Sequence, residues 1–288
     1  MIISLGIEST AHTYSIGIVD EEGKIYSNER IIYKSEKGGI HPREAAELHS
    51  REAINILKNS VWKAGFIFKK INDKYYIFDA LYEIKNKLNA EEKFIEEPWN
   101  RSRYLIYNGK KIWVENNKIK SDDKNLEDDL NNYINSLNEF ERRINLISYS
   151  AGPGLYPTLV QAYFSANLFS IKFNAKKIGV NHLVAHSEIV KLYNKFNDPL
   201  ILLVSGANTM LLSFEGNRYR IIGETLDSGV GNFLDKVGRL LNIGFPAGPK
   251  IEEYAKKGKN LIKLPYGVKG MDVQLGGIYT YIKNLLKK

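Results

Sequence analysis

An α/β fold made of two related halves is what this sequence predicts, and two observations carry the prediction. Near the start of the chain, three short apolar strands precede a helix, with an acidic residue and a small polar turn directly after the first strand. Residues 199–222 begin the same cycle again as a strand, a turn with the sequence Ser-Gly-Ala-Asn-Thr, and two further strands. The repetition indicates that both halves share one architecture.

The first half is predicted from runs of apolar residues and from turn residues. Strands are expected at 2–7, 14–19 and 24–33, and the acidic turn at 20–23 joins the last two as a hairpin. Pro42 opens a helix, because proline is tolerated at the first helical position. The half then continues with a strand at 144–150, a helix at 158–173 and a strand at 177–180.

This order of elements, present twice, is the pattern of the actin-like ATPase (ASKHA) duplicated fold. The predicted domains are residues 1–60 together with 146–198 as the first actin-like half, and 199–288 as the second. In that fold, the nucleotide is expected in the cleft between the halves.

Residues 61–145 are predicted to form an α+β module inserted in the first half. The segment contains the three tryptophans of the chain, and hairpin-like strands are expected at 66–70, 75–78, 104–107 and 111–115. Its 16 basic and 15 acidic residues nearly balance, so its net charge gives no nucleic-acid signal. A packed accessory module and a partner-docking surface both stay open. Two helices complete the module, the second with apolar residues at helical spacing at Leu126, Leu130, Tyr133, Leu137 and Phe140.

Composition narrows the class of protein. The chain has 288 residues and 43% hydrophobic content, enough for a sizeable core, and no apolar run long enough to cross a bilayer, so we expect a cytoplasmic protein without a membrane partner. The absence of cysteine excludes disulfides and thiolate chemistry. The net charge of +8 suits a polyanionic partner, and residues 250–288 hold nine lysines against three acidic residues. A solvated lysine-rich face explains the same charge.

Two histidines are the most informative feature. His182 and His186 are four residues apart, which places both imidazoles on one face of a helix, where they can share a metal ion. Because the chain has no cysteine, any further ligand must be a histidine, a carboxylate or water. Packing or capping roles for the two histidines stay open on spacing alone.

A small-residue turn follows the histidines at Val204, Ser205, Gly206, Ala207 and Asn208. Turns of small residues expose backbone N–H groups, which can hold a phosphate. The turn is therefore a candidate phosphate site.

Six segments of this sequence resemble the tRNA threonylcarbamoyladenosine transferases, called TsaD in bacteria and known as the catalytic subunit of the KEOPS complex in archaea and eukaryotes. The sequences of these segments are closer to those of the archaeal members. Between the matched segments lies the insertion at about 61–145. The segments are 6–13 (GIESTAHT), 37–47 (KGGIHPREAAE), 151–154 (AGPG), 179–186 (GVNHLVAH) with 204–209 (VSGANT), 223–227 (GETLD) through 235–236 (DK), and 265–273 (PYGVKGMDV).

The resemblance implies a reaction. The threonylcarbamoyl group of threonylcarbamoyl-AMP is transferred to the adenosine beside the anticodon of tRNA, with one divalent metal, iron or zinc, held by His182 and His186 as the catalytic residues. The N–H groups of Ser205, Gly206 and Ala207 would hold the phosphate, and Asn208 would orient the transferred group. The implied partners are KEOPS-like subunits, including a small kinase, or a separate C-terminal fragment.

Three further positions match the family's adenosine-binding residues: Asp235, Gly248 and Glu252. Ordinary roles stay open for each of them. Asp235 has Lys236 and Arg239 as candidate ion-pair partners, Gly248 lies in a proline-rich turn, and Glu252 suits the first turn of a helix. Glu8, Ser9 and His12 are interpreted as structural or substrate-positioning residues.

Two departures from the family pattern affect the metal site. The family has a tyrosine contact where this chain has Leu203, and its metal-binding aspartate lies in a C-terminal segment that this sequence does not contain, so the second half is expected to be truncated. Metal occupancy is therefore expected to be low. A non-catalytic paralogue acting as scaffold or regulator, and a generic actin-like ATPase, are the alternative functions.

Overall fold

The computed structural model describes residues 2–35, 39–97, 100–137 and 144–287. It divides into two compact units, Met1–Lys34 with Ile40–His182, and Ser35–Gly39 with Leu183–Lys288. The predicted positions Lys37, Gly38, Trp99 and Phe140 lie outside the described residues. Both units combine β-sheets with helices, as an α/β fold requires.

The elements of the described residues are, in chain order, β1 (Ile3–Glu8), β2 (Thr13–Asp20), β3 (Ile25–Ile32), α1 (Pro42–Lys63), β4 (Phe66–Ile71), β5 (Lys74–Asp79), α2 (Ala80–Leu88), β6 (Glu91–Glu97), β7 (Asn100–Tyr107), β8 (Lys110–Glu115), β9 (Lys118–Ser121), α3 (Lys124–Ser136), β10 (Ile144–Gly152), α4 (Tyr156–Phe173), β11 (Lys176–Asn181), α5 (His182–Asn194), β12 (Ile201–Val204), β13 (Thr209–Glu215), β14 (Arg218–Glu224), α6 (Val230–Leu240), α7 (Gly248–Lys257), β15 (Val268–Lys269), β16 (Asp272–Val273) and α8 (Gly276–Leu285). No described helix is long and apolar enough to cross a lipid bilayer.

The first unit is built on one large sheet with the strand order β11-β10-β1-β2-β3-β7-β8-β9, and β6 pairs with β7. β1, β10 and β11 run parallel, so their carboxyl ends meet at one edge of the sheet. Alternate residues of β1 and β2 are buried, which gives the sheet a continuous apolar face. The buried face of α1, which carries several small residues, completes this core together with the aromatic residues Phe169 and Phe173 of α4.

Strands β6 to β9 of the segment 61–145 continue the main sheet, whereas β4 and β5 pair with each other in a separate two-stranded sheet. Asn28 of β3 pairs with Arg101 of β7, and β8 and β9 extend the sheet beyond it. The four predicted strands and both helices are present, whereas β6 and β9 were not predicted. α2 and α3 cover one face of these strands in a second core that includes Leu81, Leu105 and Leu130. The segment thus lies inside the first compact unit, and its description as a separate domain stays a proposal.

The second unit carries an antiparallel sheet, β12-β13-β14, with helices α5 to α8. The strand-turn-strand-turn-strand order predicted for 199–222 agrees with β12, β13 and β14. Its buried apolar cluster consists of Leu203, Met210 and Leu212, with three partly buried neighbours. Backbone hydrogen bonds and carboxylate caps therefore contribute much of its order.

Candidate active site

His182 begins α5 directly after β11, at the edge where the parallel strands of the first unit end. Glu8 is the last residue of β1, two strands away in the same sheet. The Nδ1 atom of His182 lies 3.1 Å from Oε2 of Glu8. Because an ionised carboxylate only accepts hydrogen bonds, Nδ1 is the donor of this one, and Nε2 lies 3.5 Å from the Thr10 hydroxyl.

Thr10 completes this contact from the turn after β1. Its backbone N–H donates to Oε1 of Glu8 at 2.8 Å, and its hydroxyl donates to the same oxygen. Burial raises the pKa of the Glu8 carboxyl, but the hydrogen bonds from His182 and Thr10 outweigh it and lower the pKa below its usual value. Glu8 is therefore ionised at neutral pH and fixes the orientation of the His182 ring.

Buried hydrogen bonds hold the turn that follows Glu8. The hydroxyl of Ser9 lies 2.8 Å from Nδ1 of His49 and donates to the carbonyl oxygen of Thr158 at 2.8 Å. Ser9 and His49 are fully buried, and burial lowers the pKa of His49, so its ring stays neutral. Of the structural and substrate-positioning roles that the sequence left open for Ser9, these buried contacts favour the structural one.

His186 lies one helical turn after His182 on α5. Within the described ranges, no group of three metal-ligating side chains comes together. The donor chemistry of the two imidazoles suits zinc or iron, and a carboxylate behind the first one is the arrangement that commonly orients a metal-binding histidine. The described residues therefore fit two positions of a metal site. Leu203 contributes none, because it is buried in the apolar cluster of the second unit.

The small-residue turn lies between β12 and β13 and is closed by its own hydrogen bonds. The N–H of Ser205 donates to the carbonyl oxygen of Asn208 at 2.8 Å, and the N–H of Asn208 donates to the Ser205 hydroxyl at 3.0 Å. The N–H of Ser205 is thus already used, contrary to the expectation that it faces a phosphate. The N–H groups of Gly206 and Ala207 donate to no acceptor in the described part of the chain. These two donors remain for an anion.

The N-terminus of α6 packs directly against this turn. A Cβ atom at Gly229 would lie 2.6 Å from the carbonyl carbon of Ala207, and one at Gly231 would lie 2.7 Å from Cα of Gly206. Such distances exclude any side chain at either position. The two glycines were not among the predicted site residues, although the Gly-Val-Gly sequence at 229–231 is a signal for close backbone approach.

The three candidate adenosine residues lie on α6 and α7. Asp235 accepts a hydrogen bond from the N–H of Ala247 at 2.8 Å, which fixes the turn before α7. Neither Lys236 nor Arg239 forms an ion pair with it in the described residues. Glu252 is exposed and pairs with Lys256 at 2.7 Å. A Cβ atom at Gly248 would meet no atom within 4 Å, so the space beside this glycine is open.

Comparison with known proteins identifies the relatives of this chain. The family model of TsaD, tRNA N6-adenosine threonylcarbamoyltransferase, matches residues 123–287. The tRNA N6-adenosine threonylcarbamoyltransferase of Nanoarchaeum equitans is 40% identical over 281 residues, which cover 98% of this chain and 66% of that protein. The protein of the same name from Thermococcus kodakarensis is 37% identical and is covered to 63%. This chain therefore spans slightly less than two thirds of these relatives.

Two further matches are weaker. For one, this chain covers a small share of the relative's length, and for the other, the structural similarity is low. A probable bifunctional tRNA threonylcarbamoyladenosine biosynthesis protein from Methanocaldococcus jannaschii is 34% identical over 279 residues, 97% of this chain and 38% of that protein. Among solved structures, YeaZ from Pseudomonas aeruginosa covers 77% of this chain and 65% of its own length at 8% identity, with a TM-score of 0.36. So distant a structural likeness does not define the fold.

Proposed function

We propose a function from one premise: this chain belongs to the family of tRNA N6-adenosine threonylcarbamoyltransferases. Its proposed reaction is transfer of the threonylcarbamoyl group from threonylcarbamoyl-AMP to N6 of the adenosine beside the anticodon of tRNA. The observation that supports this most directly is His182, held through Nδ1 by the ionised Glu8 at the carboxyl edge of the sheet. A histidine that a carboxylate orients through one ring nitrogen is the arrangement common at catalytic metal sites.

His182 and His186 are the residues that would hold the divalent metal, zinc or iron. When bound, the metal supplies Lewis-acid stabilisation of negative charge on the substrate. Glu8 and Thr10 keep the His182 ring in one orientation and one tautomer. The two histidines are the proposed catalytic residues, and Glu8 is a positioning residue because its carboxylate acts through His182.

The nucleotide part of the substrate is assigned to the second unit. The N–H groups of Gly206 and Ala207 are the proposed phosphate donors, and the side chain of Asn208 would orient the transferred group. Val204, half exposed beside the turn, would provide an apolar contact. Asp235, Gly248 and Glu252 are assigned to the adenosine, since carboxylates suit ribose hydroxyls and a glycine permits close approach of the base.

The setting of the reaction is part of the proposal. We place this chain in the cytoplasm, with an actin-like duplicated architecture and an insertion at 61–145. Its proposed partners are tRNA and KEOPS-like subunits including a small kinase, or a separate C-terminal fragment. A non-catalytic role as scaffold or regulator is the second candidate, and Leu203 favours it, because that position lies in the apolar core and offers no ligand.

Product analysis tests the proposal. The full chain, with its partner subunits and zinc or iron, is incubated with unmodified tRNA and threonylcarbamoyl-AMP, and the tRNA nucleosides are measured by mass spectrometry. We expect threonylcarbamoyladenosine from the wild type and at least a hundredfold less from His182→Ala. The exposed lysine variant Lys110→Ala is the control and should match the wild type. No product from a folded wild-type assembly would overturn the proposal and favour the scaffold role.

A further inference from the structure

A cavity of about 300 Å³ lies in the first unit, well separated in sequence from the residues assigned to catalysis. The C-terminal part of α1 forms one wall through Trp62 and Lys63, and strands β6, β7 and β8 form the floor. This volume is at the lower end of the range of small-ligand pockets, about 300–1,000 Å³. It has room for one planar ring system and its substituents.

The floor of the cavity is aromatic. In the register that pairs Leu105 with Ile112, Tyr104 of β7 is placed opposite Trp113 of β8. Leu105 and Ile112 point into the second core, so Tyr104 and Trp113 lie on the other face of the sheet, and both are only partly buried. Two neighbouring rings on an open sheet face form a platform for stacking a base.

One lysine lies over this platform. Nζ of Lys111 is 4.7 Å from the ring centroid of Tyr104 and 5.6 Å from that of Trp113. In the described residues it forms no ion pair, whereas Lys63 pairs with Glu29 at 2.7 Å and Arg103 is enclosed between two carboxylates. Lys111 is therefore the cation of the cavity that is available to an anionic ligand.

Hydrogen-bonding groups complete the cavity. Trp62 lines the cavity, and its Nε1 is buried with no acceptor among the described residues. Ser102 and Asn116 also line the cavity. Glu115 also lines the cavity, and its backbone lies about 13 Å along β8 from that of Lys111. A ring with hydrogen-bonding edges and a nearby negative charge fits these groups.

We propose that this cavity binds an unpaired nucleotide of an RNA, with the base replacing the Lys111 ammonium on the rings of Tyr104 and Trp113 and the phosphate pairing with that ammonium. One lysine and one stacking platform give weak affinity for a free nucleotide. The same contacts contribute more when the nucleotide belongs to a polymer that the protein already holds elsewhere, because the second contact becomes intramolecular. That this RNA is tRNA rests on the proposed function, but the contact itself does not require the transfer reaction.

Binding of fluorescein-labelled single-stranded RNA and of tRNA to the full chain, followed by anisotropy, tests the proposal. The variants are Lys111→Ala and Trp113→Ala, with Trp113→Phe retaining a ring and Lys110→Ala removing the same charge outside the cavity. Loss of a stacked base weakens binding about 5- to 100-fold. We expect losses of that size for Lys111→Ala and Trp113→Ala. Trp113→Phe should keep at least half of the wild-type affinity, and Lys110→Ala should change the affinity less than twofold. The circular dichroism spectra of all variants should match that of the wild type.

Three results would overturn it. Equal weakening by Lys110→Ala and Lys111→Ala would mean general charge attraction, and no weakening by any variant would place RNA elsewhere. Quenching of tryptophan fluorescence by AMP alone, lost in Lys111→Ala while RNA affinity stays unchanged, would make this a free-nucleotide site. These experiments measure RNA binding and not threonylcarbamoyl transfer. Their outcome therefore stays valid even if the transferase proposal fails.

Discussion

The two compact units differ in what holds them together. The first has a main core in which β1, β2, α1 and α4 bury side chains continuously, and a second core under α2 and α3. The buried apolar cluster of the second has three members, while Leu200 and Leu202 are 62% and 67% exposed. Carboxylate caps such as Asp227, which accepts hydrogen bonds from the N–H groups of Leu275 and Gly276, order its helices. Apolar substitutions should therefore affect the two units unequally.

The largest expected effect comes from a matched pair of core truncations. Leu5 is fully buried in the first unit and Leu212 is 4% exposed in the second. Leu5→Ala should cost about 3–5 kcal/mol of unfolding free energy, because a rigid core cannot close the cavity, and Leu212→Ala about 2 kcal/mol or less. Urea unfolding followed by tryptophan fluorescence reports on the first unit, and hydrogen exchange reports on each unit. Equal costs for both variants would contradict the comparison.

The buried charges of the first unit predict an acid-sensitive stability. Burial opposes ionisation of Glu92, but Arg103, Lys85 and Lys24 outweigh it and lower the pKa of Glu92 to about 2. A carboxyl whose folded pKa is depressed stabilises the protein above its unfolded pKa, here near 4.5, and this contribution is lost as the pH falls toward about 2. We expect a loss on the order of 2 kcal/mol over that window.

The measurement is the urea midpoint between pH 7 and pH 2.5 for three proteins. Glu92→Gln should be less stable than the wild type at pH 7 and should converge with it at low pH. Glu96→Gln is the control, since Glu96 lies on the same strand and its side chain is 68% exposed. Parallel pH profiles for the wild type and Glu92→Gln would show that other carboxyls cause the loss of stability at low pH.

A smaller effect on stability, but a clear one on function, is expected at the end of β1. Glu8→Gln removes the charge that orients His182 and should reduce zinc affinity and product formation about 10- to 100-fold. The melting temperature should change little, because the apolar core carries the stability of this unit. Zinc calorimetry and product analysis measure the first effect. Glu22→Gln, in the exposed β2–β3 turn, is the control, and unchanged zinc affinity in Glu8→Gln would remove the positioning role.

Local patterns predicted most elements of this fold, because apolar alternation and helix-opening residues act over a few positions. They missed β6, whose sequence EEKFIEE is too acidic for a typical strand. It forms because all seven residues pair with β7 and because Glu92 meets Arg103 across the two strands. β9 was missed because four residues, KIKS, carry too little pattern.

The candidate site was predictable where its chemistry is local. The spacing of His182 and His186 indicates one helix face, and that face belongs to α5. The contact between Glu8 and His182 joins residues 174 positions apart and depends on the strand order β11-β10-β1, which no local pattern contains. The bonds between the Ser205 hydroxyl and the backbone of Asn208 had a sequence signal, since serine side chains commonly bond to nearby backbone groups.

The smallest change tests the second unit at Gly248. A Cβ atom there meets no atom within 4 Å, so Gly248→Ala should leave the stability nearly unchanged. If the adenosine base approaches this backbone as proposed, the added methyl should weaken AMP binding roughly tenfold, as an unaccommodated methyl does in a fitted pocket. Gly277→Ala is the matched control, because a Cβ atom there also meets no atom within 4 Å and Gly277 lies in the first turn of α8, as Gly248 lies in the first turn of α7. Calorimetry with AMP measures both variants. Equal affinity in the two would remove Gly248 from the site, while Asp235 and Glu252 would remain to be tested as ribose ligands.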